Sequence, residues 1–154
     1  MKRSAAVIFG VAILALAGCS VPERGDLAYG IDDGGDVVAF VQMCKDAVDA
    51  VIVYNSHEDF SMRWSFPEPV TDFGTLALEN LDFDLQSGDP YSAYAGSSDN
   101  TASVRGAQFR VSDLDGLSSG EVLAGDSSNG YEPTVMTVGD FREMVRRDCA
   151  KRAG

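Results

Sequence analysis

The only histidine of the chain adjoins two carboxylates, in the order His57-Glu58-Asp59. A histidine held by a carboxylate is a candidate general base, so this segment is where acid–base catalysis would be sought. Neighbouring residues on a turn point in different directions, however, and a polar hairpin turn is expected between Tyr54 and Phe60. The chain also has no Gly-x-Ser-x-Gly nucleophile motif. We therefore predict that the protein is not an enzyme.

Two pairs of aspartates are candidate ligands for a hard cation. The first pair begins a calcium-loop-like pattern at residues 113–116, but Leu117 and Ser118 occupy positions that need an oxygen ligand and a glycine. The second pair alternates with an apolar residue on a predicted strand, as expected of a solvated acidic face. One histidine does not provide the usual ligand set for zinc. We predict no metal site and keep four weak ligand candidates: Asp82, Asp84, Asp113 and Asp115.

The chain begins with a pattern typical of exported proteins. Lys2 and Arg3 precede an uncharged apolar stretch over residues 5–17. This order of a charged segment and a short apolar one is typical of a secretory signal. The stretch is shorter than the roughly 20 apolar residues that span a bilayer. It ends at Leu16-Ala17-Gly18-Cys19, where the chain becomes polar.

This tetrapeptide resembles the lipobox of bacterial lipoproteins, in which a leucine and two small residues precede a cysteine. The resemblance covers only residues 1–19. It implies that residues 1–18 are removed and that Cys19, then the first residue, carries diacylglycerol and an N-acyl chain. We predict no cofactor. Two or more acyl chains anchor a protein stably. The expected location is the extracytoplasmic face of the cell membrane, or the outer membrane of a cell that has one.

If Cys19 carries lipid, Cys44 and Cys149 are the two cysteines that remain. An even pair of cysteines outside the cytoplasm predicts a disulfide. Such a bridge closes a loop of about 105 residues, and in the chain-entropy model it stabilises the folded protein by roughly 4–5 kcal/mol.

The charge of the chain excludes one class of partner. The sequence has 24 acidic and 12 basic residues, a formal net charge of −12. Removing residues 1–18 takes away Lys2 and Arg3 and no acid, so the mature protein is more acidic still. A basic surface strong enough for nucleic acid cannot be assembled from this composition.

Composition divides the mature chain into a lead and one domain. Residues 19–36 are rich in glycine and aspartate, which predicts a lipidated cysteine followed by a flexible acidic tether. Residues 37–154 are then a single extracytoplasmic domain. Residues 87–103 and 126–133 contain many turn-forming residues and are predicted to be loops.

Most predicted elements of the domain are strands. Apolar residues alternate with polar ones over residues 60–66, which predicts a strand that ends at Pro67. Residues 51–54, 81–85 and 107–111 are further predicted strands. Residues 76–78 and 134–136 are weaker candidates for strands.

Residues 37–50 fit two descriptions. Val37, Val41, Cys44 and Val48 have helical spacing, whereas the stretch up to Val41 is short, β-branched and apolar on both faces. We predict a buried strand that ends at Cys44, and an N-terminal helix over residues 37–50 is the alternative.

The last predicted element is a helix. Thr137 and Asp140 have the spacing of a capping box. One face of the following helix carries four apolar residues: Phe141, Met144, Val145 and Cys149. A bridge to Cys44 would join this helix to an early element.

These elements predict a mainly β fold, a small antiparallel β-sandwich that is immunoglobulin-like in the loose sense, with a C-terminal helix. With a helix over residues 37–50 the class becomes α+β.

The predicted function is a lipid-anchored binding or interaction module of the cell envelope. Its partners are the membrane, through the lipid, and an envelope protein. The alternatives are a small-ligand or cation-binding lipoprotein and an inhibitor of envelope-degrading enzymes. A hydrolase that uses His57 ranks below these.

Overall fold

The computed structural model of the protein describes residues 24–55, 60–79, 81, 90–125 and 132–152. Nine strands and two helices follow one another along these residues: β1 (Gly25–Ile31), β2 (Val37–Met43), β3 (Val48–Asn55), β4 (Phe60–Val70), β5 (Phe73–Ala77), β6 (Ser92–Gly96), β7 (Ser103–Arg105), α1 (Val111–Leu114), β8 (Glu121–Gly125), β9 (Pro133–Thr137) and α2 (Val138–Arg152).

The strands form two sheets. The five-stranded sheet has the order β5-β2-β1-β8-β9, and the four-stranded sheet has the order β4-β3-β6-β7. Every strand pair within them is antiparallel. The predicted β-sandwich with a C-terminal helix is therefore confirmed.

The main core lies between the two sheets. Leu27, Tyr29 and Val41 enter it from the five-stranded sheet, and Val51 and Val53 enter it from the four-stranded sheet. All five are buried. Burying an aliphatic side chain of this size contributes about 1.5–3 kcal/mol, so this layer is a main source of stability.

Helix α2 covers the outer face of the five-stranded sheet as a third layer. Phe141, Met144 and Val145 pack against Ala28 and Val122 in a second apolar cluster. The predicted helix and the face that it buries are both confirmed.

The N-terminus of α2 is capped as the sequence predicts. The Asp140 N–H donates to Thr137 Oγ1 over 3.1 Å, and the Thr137 hydroxyl donates to Asp140 Oδ2 over 2.7 Å. The first of these bonds uses a backbone donor that the first turn of a helix leaves without an intrahelical partner, and the second holds the two side chains together.

The predicted disulfide is present. Cys44, directly after β2, is joined to Cys149 in α2, with their Cα atoms 5.3 Å apart and a sequence separation of 105. The bridge therefore joins the last helix to the end of the second strand.

The flexible tether predicted for residues 19–36 is wrong from Arg24 onward. Gly25–Ile31 is strand β1, which pairs with both β2 and β8 at the centre of the five-stranded sheet. Leu27 and Tyr29 face the main core, while Ala28 faces α2. The domain therefore begins no later than Arg24, and its start at residue 37 is also wrong.

Residues 32–36 form the hairpin turn between β1 and β2. The Asp32 carboxylate accepts from the N–H groups of Gly34 and Asp36 over 2.8 and 2.9 Å. The glycine and aspartate content that suggested a flexible lead therefore belongs in part to a tight turn.

Residues 37–50 are two strands joined by a turn, so the strand ending near Cys44 is confirmed and the helical alternative is wrong. Strand β2 has apolar residues on both faces because one face meets the other sheet and the opposite face meets α2. This double burial produced the ambiguous pattern.

Three other element boundaries differ from the prediction. Strand β4 continues past Pro67 to Val70, because an edge strand tolerates a missing N–H. The loop predicted for residues 87–103 is wrong, since it contains β6 and the start of β7. Residues 107–111 alternate in burial, but only an isolated bridge from Phe109 to Tyr91 forms there before α1.

Other predicted segments lie partly outside the described residues. Of residues 81–85, only Leu81 is described. Within residues 126–133, the described part begins β9 at Pro133. In the parts of the chain that the structure describes, neither helix has the length and apolar character needed to cross a membrane.

Candidate binding face

Several predicted site residues lie outside the described residues, and the statements about them stay predictions. They are Cys19, His57, Glu58, Asp59, Asp82 and Asp84.

Asp113 and Asp115 are described, and both belong to the ends of helix α1. The Asp113 carboxylate accepts from the Arg110 N–H over 2.7 Å, and the Asp115 N–H donates to the Val111 carbonyl over 3.3 Å. Asp113 therefore has a local structural role at the start of the helix. Among the described residues, no group of three or more His, Cys, Asp or Glu is placed to hold a metal ion.

The outer face of the four-stranded sheet is the candidate functional site. We call it the tyrosine–arginine face and define it by the positions of β3, β4, β6 and β7 that point away from the main core. These positions hold Ala50, Ile52, Tyr54, Ser61, Arg63, Ser65, Ser92, Tyr94, Gly96, Ser103 and Arg105.

The strand register places these side chains in rows that cross all four strands. One row runs Arg63, Ile52, Tyr94 and Arg105. Paired residues of antiparallel strands point to the same side, so the four side chains form one continuous strip.

Two tyrosines stand at the centre of the tyrosine–arginine face. Tyr54 is 39% exposed and Tyr94 is 40% exposed. Their ring centres are 6.2 Å apart in an edge-to-face arrangement. Such pairs are favourable beyond the area that they bury, so the rings support each other while their outer surfaces stay open to solvent.

Hydrogen bonds fix the rim of this face. Gln108 Nε2 donates to Ser92 Oγ over 3.1 Å. Arg63 donates to Asp49 Oδ1 over 3.1 Å, and the Ser98 N–H donates to Asp49 Oδ2 over 2.8 Å. The hydrogen bonds from Ser98, and to a smaller degree the charge of Arg63, hold the pKa of Asp49 below its ordinary value.

The charge of the face differs from that of the whole chain. The sequence has twice as many acidic as basic residues, yet the paired outward positions of this sheet hold Arg63 and Arg105, and Asp49, at the register shift of β3, is ion-paired with Arg63 at 3.1 Å. Tyrosine and arginine are enriched, and acidic residues depleted, where protein surfaces bind partners. The tyrosines and arginines of the face therefore match residue types enriched at binding surfaces, whereas its four serines do not.

The opposite side of the molecule has a different polar arrangement, which holds α2 in place. Gln42 is fully buried, and its Nε2 donates to Asp72 Oδ1 over 2.8 Å. Its Oε1 accepts from Arg142 Nε over 3.4 Å, and the Arg142 guanidinium lies 4.2 Å from the centre of the Phe73 ring. The groups are satisfied by one another, so we assign them to packing rather than to ligand binding.

Sequence reasoning missed the tyrosine–arginine face. In β3, Ile52 and Tyr54 point outward and Val51 and Val53 point inward, but all four are apolar or aromatic. The pattern therefore predicted a strand without indicating its solvent side. Tyr94 fell in a predicted loop.

Comparison of the chain with protein-family models, with curated proteins and with solved structures found no match.

Proposed function

We propose that the protein is a non-catalytic binding module of the bacterial cell envelope, anchored by lipid on Cys19, which binds its partner through the tyrosine–arginine face. The observation that carries the proposal is the outer face of the four-stranded sheet, where exposed Tyr54 and Tyr94 lie beside arginines in a strongly acidic chain.

The side chains of the face suit a binding role energetically. Tyrosine offers a large and rigid contact surface at low cost in side-chain entropy. Tyrosine and arginine also dominate the small set of residues that contribute most to interface energies. Tyr54, Tyr94 and Arg63 are exposed on one side of one sheet, so a single partner can contact all three.

The dimensions of the face limit the kind of contact. Four strands spaced about 4.8 Å apart give a sheet roughly 15–20 Å wide. Specific protein interfaces bury about 800 Å² per partner, which is more than a patch of this width provides. The face therefore serves as the centre of an interface whose rim extends beyond the sheet.

Two observations support a location outside the cytoplasm. The apolar stretch and the tetrapeptide ending at Cys19 have the order expected of an exported lipoprotein. The Cys44–Cys149 bridge in the structure suits an oxidising compartment, where disulfides form and persist.

Site-specific photo-crosslinking in cells tests the binding face. A photoreactive amino acid replaces Ser61 or Ser92 on the face, and the matched control carries it at Ser118, which is exposed between α1 and β8. We expect covalent adducts of one defined mass at both face positions and none at Ser118. The adducts should disappear when Tyr54→Ser and Tyr94→Ser are combined.

Two results would contradict the proposal. One is the absence of adducts at Ser61 and Ser92, and the other is an equal yield at Ser118. Circular dichroism of the double tyrosine variant provides the control for folding, because both rings are exposed and their loss should leave the sandwich intact.

The net charge of −12 favours one narrower candidate, an inhibitor of an envelope-degrading enzyme that has a basic surface. Charge complementarity at an interface rim steers association and is screened by salt. This candidate predicts that adduct yields at Ser61 in envelope extract fall as salt is raised. Yields that do not change with salt would exclude it and leave the general binding module in place.

A further inference from the structure

The lead between the proposed lipid and the folded domain is short. Cys19 precedes Arg24 by five residues, and β1 begins at Gly25. An extended chain spans at most about 3.6 Å per residue, so Arg24 lies within roughly 18 Å of the lipidated cysteine. The start of β1 must therefore stay close to the membrane surface.

The C-terminal end of α2 lies beside the start of β1. The carboxylate of Asp26 is 3.8 Å from the Arg152 guanidinium. Cys44, which donates its N–H to the Arg24 carbonyl over 2.6 Å, is bonded to Cys149. Whatever holds Arg24 near the membrane also holds the last turns of α2 there.

This end of α2 is basic in an otherwise acidic protein. We call its four exposed cations the basic helix end: Arg146, Arg147, Lys151 and Arg152.

Each carboxylate that contacts the basic helix end forms an ion pair with one of its four cations. Asp148 pairs with Lys151 at 2.8 Å, Asp72 lies 3.8 Å from Arg146, and Asp26 lies 3.8 Å from Arg152. Arg147 has no ion-pair partner among the residues that the structure describes. The contacts therefore leave an excess of positive charge.

We propose that the basic helix end lies against the anionic headgroups of the membrane that holds Cys19, so that the tyrosine–arginine face, on the opposite side of the sandwich, points away from it. The proposal rests on the lipid anchor of the proposed function. Attraction between basic side chains and an anionic lipid surface acts within about one Debye length, roughly 8 Å at physiological salt. The short lead keeps the helix end within reach of that distance.

The rest of the molecule reinforces the same orientation. The strongly acidic remainder of the chain is repelled by an anionic surface, whereas the basic helix end is attracted. Attraction at the basic helix end, together with repulsion of the acidic surfaces elsewhere in the chain, turns the domain until this end faces the membrane.

Fluorescence quenching in vesicles tests the orientation. The full lipidated protein is reconstituted into vesicles of phosphatidylcholine alone or of equal parts phosphatidylcholine and phosphatidylglycerol, with a quencher on a fraction of the headgroups. A fluorescent amino acid replaces Ala150, exposed within the basic helix end, or Ser118 as the control. Ser118 lies next to Glu121, at the opposite end of the five-stranded sheet from Gly25.

We expect severalfold stronger quenching at Ala150 than at Ser118 in vesicles that contain phosphatidylglycerol, and a smaller difference in phosphatidylcholine alone. Combining Arg146→Gln with Arg147→Gln should reduce the quenching at Ala150 to the level in neutral vesicles. Arg110→Gln, which removes a positive charge outside the basic helix end, should leave it unchanged.

The outcomes separate the orientation from the anchor. If the protein floats with the vesicles, either of two results overturns the orientation. One is equal quenching at Ala150 and Ser118. The other is quenching at Ala150 that does not change with phosphatidylglycerol or with the helix substitutions. If the protein does not float with the vesicles, the proposed lipid anchor is wrong, and the proposed orientation, which depends on it, is wrong as well. Crosslinking at Ser61 reports on the binding face alone.

Discussion

At the scale of single residues, Gly106 lies so close to the Tyr29 ring that no side chain fits at this position. The Tyr29 hydroxyl is buried and has no hydrogen-bond partner within the described part of the chain. Burial, and to a smaller degree the nearby Tyr54, raises the pKa of Tyr29 well above its ordinary value, so the phenol stays protonated. A Cβ atom on Gly106 would overlap this hydroxyl.

We therefore expect Gly106→Ala to lower the free energy of unfolding by about 1–3 kcal/mol, the usual cost of overpacking. Tyr29→Phe removes the overlapping oxygen but keeps the ring carbon beside it, so it should restore part of that loss in the double variant. Urea denaturation of the four proteins measures the coupling. Effects that simply add would show that the two residues do not interact as the structure indicates.

Asp49 gives a prediction about pH. Its folded-state pKa is lowered, chiefly by the hydrogen bonds from Ser98. A lowered pKa contributes stability above the ordinary pKa of an aspartate, and that contribution is lost as the pH falls through the folded value. The wild-type protein should therefore be more stable than Asp49→Asn at neutral pH by a margin that shrinks toward about pH 3. Chemical denaturation across that range measures the margin, and a constant one would refute the assignment.

At the scale of elements, the disulfide joins α2 to the end of β2 and supplements the apolar contacts between them. Closing a loop of this length contributes about 4–5 kcal/mol in the chain-entropy model. Combining Cys44→Ala with Cys149→Ala should lower the free energy of unfolding by an amount of that order. The wild-type protein denatured with a reducing agent should match the variant. A loss below about 1 kcal/mol would mean that the bridge constrains the unfolded chain far less than the model assumes.

The same elements show how far sequence reasoning reached. Strand β4 and helix α2 were predicted because each has one strongly apolar side with the period of its structure. Strand β6 was missed because its buried side consists of Ala93 and Ala95, which give little hydrophobic contrast with their neighbours. Strand β1 was missed because glycine and aspartate outweighed Leu27 and Tyr29 in the composition of the segment.

The candidate site was harder to predict than the fold. Its residues come from four strands and meet only through pairing register, which depends on contacts distant in sequence. By contrast, the Cys44–Cys149 pair was predictable, because the lipobox-like tetrapeptide sets Cys19 aside and leaves an even pair of cysteines.

At the scale of the whole molecule, the three layers present two different outer surfaces. Helix α2 and the tyrosine–arginine face lie on opposite outer surfaces, with the five-stranded sheet between α2 and the other sheet. Packed sheets are about 10 Å apart, so the two outer surfaces are well separated. In the proposed arrangement one surface meets the membrane and the other meets the partner.

The bridge between Cys44 and Cys149 also keeps the fragments of the domain joined after one proteolytic cleavage. Strands β3 to β9 lie on the covalent ring that it closes, and the proposed anchor precedes the ring. We expect a protease that cleaves one peptide bond inside the ring to leave a single band on a non-reducing gel and two bands after reduction. Release of a fragment without reduction would contradict this. If the protein is anchored as proposed, a first proteolytic cut inside the ring would leave the tyrosine–arginine face attached to the cell.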